Sequence, residues 1–240
     1  MKATKWEFTN RSLIFGLIFS FAFPLYVLDH QNSTFAFADW LGPRLHLAPD
    51  RLARCLLACA ALLLILAAFV RTWGSSYLQA DVVYAADVKT ECLIADGPYR
   101  LVRNPLYFGN VLLVLGIGCM MSRLGFFVAI AAMLVFSYRL ILREEAELRA
   151  TQGVTYERYS KAVPRLWPSP RPRIASSGRR ANWAAGFKAE SWYWGFPAAL
   201  VAFAITLKVV LFFGILAATI ALFWGLTSFT RRRADTRQAP

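Results

Sequence analysis

Apolar runs bounded by basic residues constrain this chain more than any single motif. They extend over Ser12 to Leu28, Leu52 to Val70, Pro105 to Met121, Leu124 to Leu142, Trp192 to Leu207 and Val209 to Phe229. Most approach the roughly 20 residues a helix needs to cross a hydrocarbon core. With 58% hydrophobic residues and only 17% charged, the composition is that of a membrane protein rather than a soluble domain. Six helices with both termini cytoplasmic put Lys2, Lys5, Arg11, Arg71, Arg100, Arg103, Arg143 and Arg231 to Arg233 on one side, as the positive-inside rule asks. The expected fold class is therefore all-α, a polytopic helical integral membrane protein. It has about six transmembrane helices, including a helical hairpin, and a small cytoplasmic cofactor-binding segment. In a prokaryote the membrane would be the inner, plasma membrane. The net charge of +13 sits beside the apolar runs, so it reads as topology and excludes nucleic acid as a partner.

The runs divide the chain into an N-terminal two-helix membrane region (1–70), a core with an interfacial segment, hairpin and cap (71–168), a basic linker (169–190) and a C-terminal two-helix extension (191–240). A cleaved signal peptide is the rival reading of the first run. Ala36-Phe37-Ala38 resembles a cleavage site but stands beyond the polar stretch Asp29 to Thr34. Asn32-Ser33-Thr34 fits a glycosylation sequon. Residues 71–96, with Trp73, Tyr77 and Tyr84 among Asp81, Asp87, Lys89, Glu91 and Asp96, read as interfacial, in short strands or turns. Cys55, Cys59, Cys92 and Cys119 form no C-x-x-C pair and read as core residues, with no metal site among them.

The chemistry gathers at Gly97-Pro98-Tyr99-Arg100-Leu101-Val102-Arg103-Asn104-Pro105-Leu106-Tyr107-Phe108-Gly109. Pro105 suits the first position of a helix and Asn104 suits its N-cap. The free amides and positive dipole end of that helix, beside Arg100 and Arg103, form a ready site for a carboxylate or phosphate. The first hairpin arm is only about 25 Å long at 1.5 Å per residue, so Arg123 at its tip is expected to snorkel. A hairpin returns the chain to the face it left, so Arg139, Arg143, Glu144 and Glu145 should meet Arg100, Arg103 and Tyr107 there. The bland reading makes the arginines interfacial anchors, the tyrosines an aromatic belt, and Glu145 with Arg149 an i, i+4 surface pair.

No dinucleotide fingerprint, P-loop, H-E-x-x-H or G-x-S-x-G occurs. The two histidines, His30 and His46, fall on the external side of this topology, which removes imidazole chemistry from the cytoplasmic cluster.

Gly97-Pro98-Tyr99-Arg100, Arg103-Asn104-Pro105, Tyr107 and Gly109, followed by Glu144-Glu145, Leu148, Gly153, Tyr156, Tyr159, Val163-Pro164-Arg165 and Pro168, resemble a known signature. It is that of the isoprenylcysteine carboxyl methyltransferase family and the related phospholipid methyltransferases. The resemblance covers roughly 65–170 and implies a membrane-embedded, S-adenosylmethionine-dependent methyltransferase. It implies a cofactor pocket bordered by Tyr99, Arg100, Arg103, Asn104, Tyr107, Gly109, Glu144 and Glu145. Asn104 stands where histidine is usual in that family, and Gln152 where an aromatic commonly precedes the glycine. The two helices after residue 190 lie outside the resemblance.

The expected reaction partners are the bilayer and an amphiphilic or small-molecule methyl acceptor. Its tail would lie against Leu106, Phe108, Val111, Phe136 and Leu140. Carboxylate O-methylation is slightly favoured, because an arginine suffices to orient an acceptor already anionic. Arg139, Arg143 and Arg165 are the candidates, with Glu145 as the base an amine or thiol would need. Phospholipid amine N-methylation and small-thiol S-methylation remain alternatives. So do an NADPH-dependent steroid-reductase-like enzyme, whose similar R-H-P-x-Y-x-G box usually has Asn before the tyrosine and Glu after the glycine where Leu106 and Asn110 stand here, and a non-catalytic membrane scaffold.

Overall fold

The computed structural model describes residues 2–78 and 94–238, with side chains to residue 225. The interfacial stretch around Asp81, Tyr84, Asp87, Lys89 and Glu91, and Cys92 with it, lies outside the described residues. Helices α1 (Lys5–Thr9), α2 (Arg11–Ala22), α3 (Ser33–Leu41), α4 (Pro49–Tyr77), α5 (Pro105–Ile117), α6 (Arg123–Ala162), α7 (Trp183–Glu190), α8 (Gly195–Thr206) and α9 (Val209–Gln238) are joined by short 3₁₀ turns and irregular segments. Among the described residues there is no strand, only an isolated bridge between Asn32 and Ser122. The all-α class thus stands. Two helices, α4 and α6, are long and apolar enough to cross a membrane, while Arg11–Val27, Pro105–Met120 and Val209–Gly225 are shorter apolar helices.

The core forms where α5 lies along α4, and small residues set how close they come. A Cβ on Gly109 would stand 2.4 Å from Arg71 Cγ and 3.3 Å from the Ala67 carbonyl. One on Gly116 would stand 3.0 Å from the Ala60 carbonyl. Bare backbone at those two positions lets the helices touch, as small residues do where no hydrophobic effect drives helices together. Leu57, Leu64, Val114, Ile117, Met121 and Met133 fill the space around the contact and are almost wholly buried.

Helix α6 runs for 40 residues. At 1.5 Å per residue that is about 60 Å, twice a bilayer's hydrocarbon thickness. Its apolar half, Leu124 to Leu142, can lie in lipid, and its polar half from Arg143 must project beyond it. Gly153 interrupts the projecting part with φ 50° and ψ −127°, a left-handed conformation open to glycine, and the helix resumes through Tyr156 and Tyr159. This is the break the sequence places near Gly153.

The two ends of the bundle are closed differently. At the end where α4 begins, Asn32 caps α3 by accepting from the Thr34 and Phe35 amides. Its own amide donates to the Cys119 carbonyl at 3.1 Å, to the Met121 carbonyl and to Tyr26 Oη. The sequon asparagine is therefore engaged in a structural lock. Arg123 at the hairpin tip pairs with Asp29 at 2.9 Å instead of reaching along the helix for an interface. At the opposite end, residues 163–182 fold back over Gly97 to Asn104. Arg103 N donates to the Pro164 carbonyl, Ser169 N to Leu101, and Arg173 N to Arg100, each at 2.9 Å.

The stretch read as a basic linker is thereby pinned rather than loose. Asp96 accepts from Ser176 Oγ at 2.6 Å, from Ser177 through both Oγ and N, and from Arg179 N. These donors hold its carboxyl at about 2, below the usual carboxylate range. A depressed folded-state value stabilises above the unfolded carboxyl's pKa and is lost as pH falls through about 2, so this clasp is fully engaged at neutral pH. Asp96→Asn is expected to release the strap, read as faster tryptic cleavage after Arg179 with the helical content unchanged.

Candidate functional site

The hairpin brings together the two charged clusters that the sequence separates. Arg103 ends the turn before α5, and its Nη1 lies 2.7 Å from Glu145 Oε1 on α6. Arg165, just past the end of α6, reaches the same carboxylate through Nη2 at 3.0 Å and through Nε. Arg149 reaches it at 3.2 Å from one helical turn along. Glu145 is only 1% exposed, so three guanidiniums converge on one buried carboxylate. Arg149 remains largely exposed, but its partner is buried, which is more than surface lacing. Hydrogen bonding to Glu145 pushes the Arg165 guanidinium further up from its usual value.

Tyr107, in the first turn of α5, donates its hydroxyl to Glu144 Oε1 at 2.7 Å. Tyr99 is buried, its phenol pushed well above the usual value by desolvation, and its carbonyl accepts from Tyr159 Oη at 2.8 Å. Arg100 turns towards the strap, donating Nε to the Ile174 carbonyl at 2.9 Å. Gly109 faces α4 and Arg71.

Asn104 stands at the N-cap of α5 but does not cap it through its side chain. Its Nδ2 donates instead to the Arg165 carbonyl at 3.0 Å, because the returning chain presents that acceptor beside it. The first-turn amides of α5 consequently receive no side-chain cap, and such amides favour an anion. Asn104→Ala should cost about 1 kcal/mol through loss of this hydrogen bond. Asn104→His, which keeps a ring N–H donor, should retain most of the stability in a thermal unfolding comparison.

Arg139 and Arg143 are met by the N-terminus. The Thr4 hydroxyl and the Glu7 carboxylate form a reciprocal capping box on α1. Glu7 also accepts from Arg139 Nη2 at 2.7 Å, while Arg143 donates to the Ala3 carbonyl at 3.3 Å and pairs with Glu147 at 2.9 Å. Each of the three arginines named for an acceptor carboxylate therefore already holds an internal carboxylate. Phe8 and Ala3 pack with Tyr107, Phe136, Leu140 and Ile141, and Phe15 meets Phe136 edge to face at 5.1 Å. Val111, Phe136 and Leu140 are thus covered by protein. Exposed apolar surface near the cluster lies on Tyr138, whose hydroxyl accepts from Arg165 at 2.6 Å, and on Trp167, packed edge to face on Phe108.

A buried polar knot under α5 turns on Glu190, which sequence reasoning passed over. Arg71 joins Glu190, Asn110 and the Leu106 carbonyl. A signal was present: Glu190 is the lone acidic residue between Glu157 and Asp235. An unaccompanied carboxylate at the head of an apolar run calls for a buried cation. Among the described residues, no group of three or more His, Cys, Asp or Glu side chains could hold a metal ion.

The chain is all-helical among its described residues, with two helices long and apolar enough to cross a membrane, and its charged cluster sits at the mouth of a helical hairpin. Residues 55–152 match the phospholipid methyltransferase family, in agreement with the sequence resemblance. The cobalt-zinc-cadmium resistance protein CzcN of Cupriavidus metallidurans is 29% identical over 103 residues, 43% of this chain and 44% of that protein. The nickel-cobalt-cadmium resistance protein NccN of Alcaligenes xylosoxydans xylosoxydans is 26% identical over 86 residues, 36% of this chain and 40% of that protein. The chain spans less than half the length of these curated relatives. No solved structure matches.

Proposed function

We propose that this protein is an S-adenosylmethionine-dependent methyltransferase acting at the membrane interface on a lipid-like acceptor. The observation that carries the reading is the meeting of Arg103 with Glu145, and of Tyr107 with Glu144, at the open end of α5 within the family-matched segment.

The donor set fits the cofactor. Nε of Arg103 is a buried N–H without an acceptor, and the first-turn amides of α5 are uncapped. Together they suit the methionine carboxylate. Glu144 suits the ammonium or the ribose diol, and the Tyr107 ring suits the sulfonium through cation–π attraction. The cofactor supplies the methyl group for an in-line displacement. The chain aligns the acceptor and excludes water. Glu145 keeps Arg103 and Arg165 in place, and Tyr107 fixes the Glu144 carboxylate through its hydroxyl.

The acceptor's polar group is assigned to the neighbourhood of Arg165 and its tail to the exposed flank of Tyr138 and Trp167, beside the part-buried Phe108. Each buried methylene there contributes about 0.8 kcal/mol. The internal engagement of Arg139 by Glu7 removes the reason to prefer a carboxylate acceptor over an amine, and the reading here is a lipid-like acceptor of either kind. The names of CzcN and NccN attach metal resistance to those proteins, and no described cluster in this chain favours direct metal binding. Six membrane crossings with cytoplasmic termini fit the same reading, since all the residues named then face the compartment that supplies the cofactor.

Calorimetry with S-adenosylmethionine tests cofactor binding. Incubating membranes with the methyl-labelled cofactor and separating protein, lipid and volatile fractions tests the acceptor. Label in extracted lipid is expected; saturable binding with label only in the volatile fraction would replace the lipid with a small thiol, and absence of binding would end the methyltransferase reading.

A further inference from the structure

The knot beneath α5 couples the matched segment to chain outside it. Arg71, near the end of α4, is held by Glu190 through a two-point pair, Nε to Oε2 at 2.7 Å and Nη2 to Oε1 at 3.0 Å. Ser75 Oγ donates to Glu190 Oε1 at 2.7 Å. The remaining guanidinium nitrogen, Nη1, donates to the Leu106 carbonyl at 3.2 Å and to Asn110 Oδ1 at 2.8 Å. Leu106 and Asn110 are one turn apart at the start of α5, so one guanidinium grips that turn twice. Tyr193, just beyond α7, donates its hydroxyl to Asn110 Oδ1 at 2.6 Å and stacks its ring on the guanidinium, 4.1 Å from centroid to Cζ. Glu190 is fully buried and Arg71 nearly so.

A buried arginine is held in place by its carboxylate, and one that loses it turns towards water or another partner. Here the carboxylate that holds Nε and Nη2 comes from α7, beyond residue 152 where the family match ends. We propose that Glu190 is a positioning residue for the cofactor end of α5. It fixes Arg71, Arg71 fixes the Leu106–Asn110 turn, and that turn presents the uncapped amides and Tyr107. This gives the chain beyond the matched segment a role: Glu190 at the end of α7 and Tyr193 just after it complete the site from beneath. The cofactor part of the proposal rests on the methyltransferase reading, whereas the ordering of α5 does not.

The test uses the full chain in lipid nanodiscs, with two variants. Glu190→Gln removes the charge and keeps the shape, and Tyr193→Phe keeps the stacked ring and loses only the hydroxyl bond, so it folds even where the first variant does not. Amide hydrogen exchange is followed over residues 106–112 and, as a remote reference, over 124–132 in α6. S-adenosylmethionine affinity is measured by calorimetry. For Glu190→Gln, exchange over 106–112 is expected to rise about tenfold and cofactor affinity to fall about tenfold, the size of a lost hydrogen bond to a charged group. Exchange over 124–132 is expected to stay unchanged. Tyr193→Phe should show the same pattern at about threefold.

A rise spread equally over both regions would reduce Glu190 to general structural support and overturn the proposal. So would unchanged cofactor affinity in folded variants of a wild type that binds it. A wild type that does not bind S-adenosylmethionine, with exchange at 106–112 changed as expected, would remove the methyltransferase reading and leave the ordering of α5 by Glu190 standing.

Discussion

Glu145→Ala is expected to be among the most damaging single substitutions in this chain, costing about 3–5 kcal/mol of stability and abolishing measurable S-adenosylmethionine binding. The reason is the number of cations that depend on it. Arg103, Arg165 and Arg149 all converge on this one carboxylate, and Arg103 is only 10% exposed, so it cannot recover its solvation by swinging out. Removing the carboxylate leaves like charges facing one another in a poorly solvated place, with Coulomb repulsion added to the lost pairs. Glu145→Gln should fall between, since an amide keeps one acceptor for Arg103 but brings donors that face guanidinium N–H groups. Unfolding in mixed micelles, followed by circular dichroism, gives the stability and calorimetry gives the affinity. A stable Glu145→Ala protein that binds the cofactor normally would show that the arginines have other acceptors within reach.

The second large effect is expected at Gly109. A methyl group there meets Arg71 Cγ and the Ala67 carbonyl, the first a stem pinned by Glu190 and the second backbone. Neither can give way cheaply, so Gly109→Ala should destabilise by about 2–3 kcal/mol, the upper part of the range for overpacking. The helix preference of alanine over glycine, about 1 kcal/mol, works in the other direction and does not rescue it. Gly16→Ala is the matched control: nothing lies within 4 Å of its Cβ, and it should be neutral or mildly stabilising in the same unfolding assay. Equal behaviour of the two variants would mean that α4 and α5 separate more easily than their contact suggests.

The helical class and the two long helices α4 and α6 were legible because apolar run length is itself the physics of a membrane helix. The meeting of Arg103 and Tyr107 with Glu144 and Glu145 was legible too, since a hairpin has no other place to bring them. Asn104 was half legible. Its position at the helix start follows from Pro105, but whether its side chain turns to its own helix or to the Arg165 carbonyl depends on a strand of chain sixty-one residues later. The N-terminal arm carried an unread signal, Thr4-Lys5-Trp6-Glu7, whose capping box closes as that pattern suggests. What no local pattern could give was the destination of Glu7 on Arg139, or that of Glu190 on Arg71, because both pairs span more than a hundred residues. The external loop expected between the first two runs holds α3 for a similar reason: Asn32 caps that helix while locking onto carbonyls of the hairpin tip.

The three-to-one convergence of arginines on Glu145 bears on how a catalytic cycle would end. Counting Glu144 as well, the cluster keeps a surplus of positive charge beside the cofactor end of α5. S-adenosylmethionine carries a sulfonium cation, and its demethylated form, S-adenosylhomocysteine, does not. On the methyltransferase reading, that surplus would favour the carboxylate both molecules share and disfavour the sulfonium only the donor carries, narrowing the advantage that the Tyr107 ring gives the donor. The spent form would then compete effectively with the fresh one for the same site.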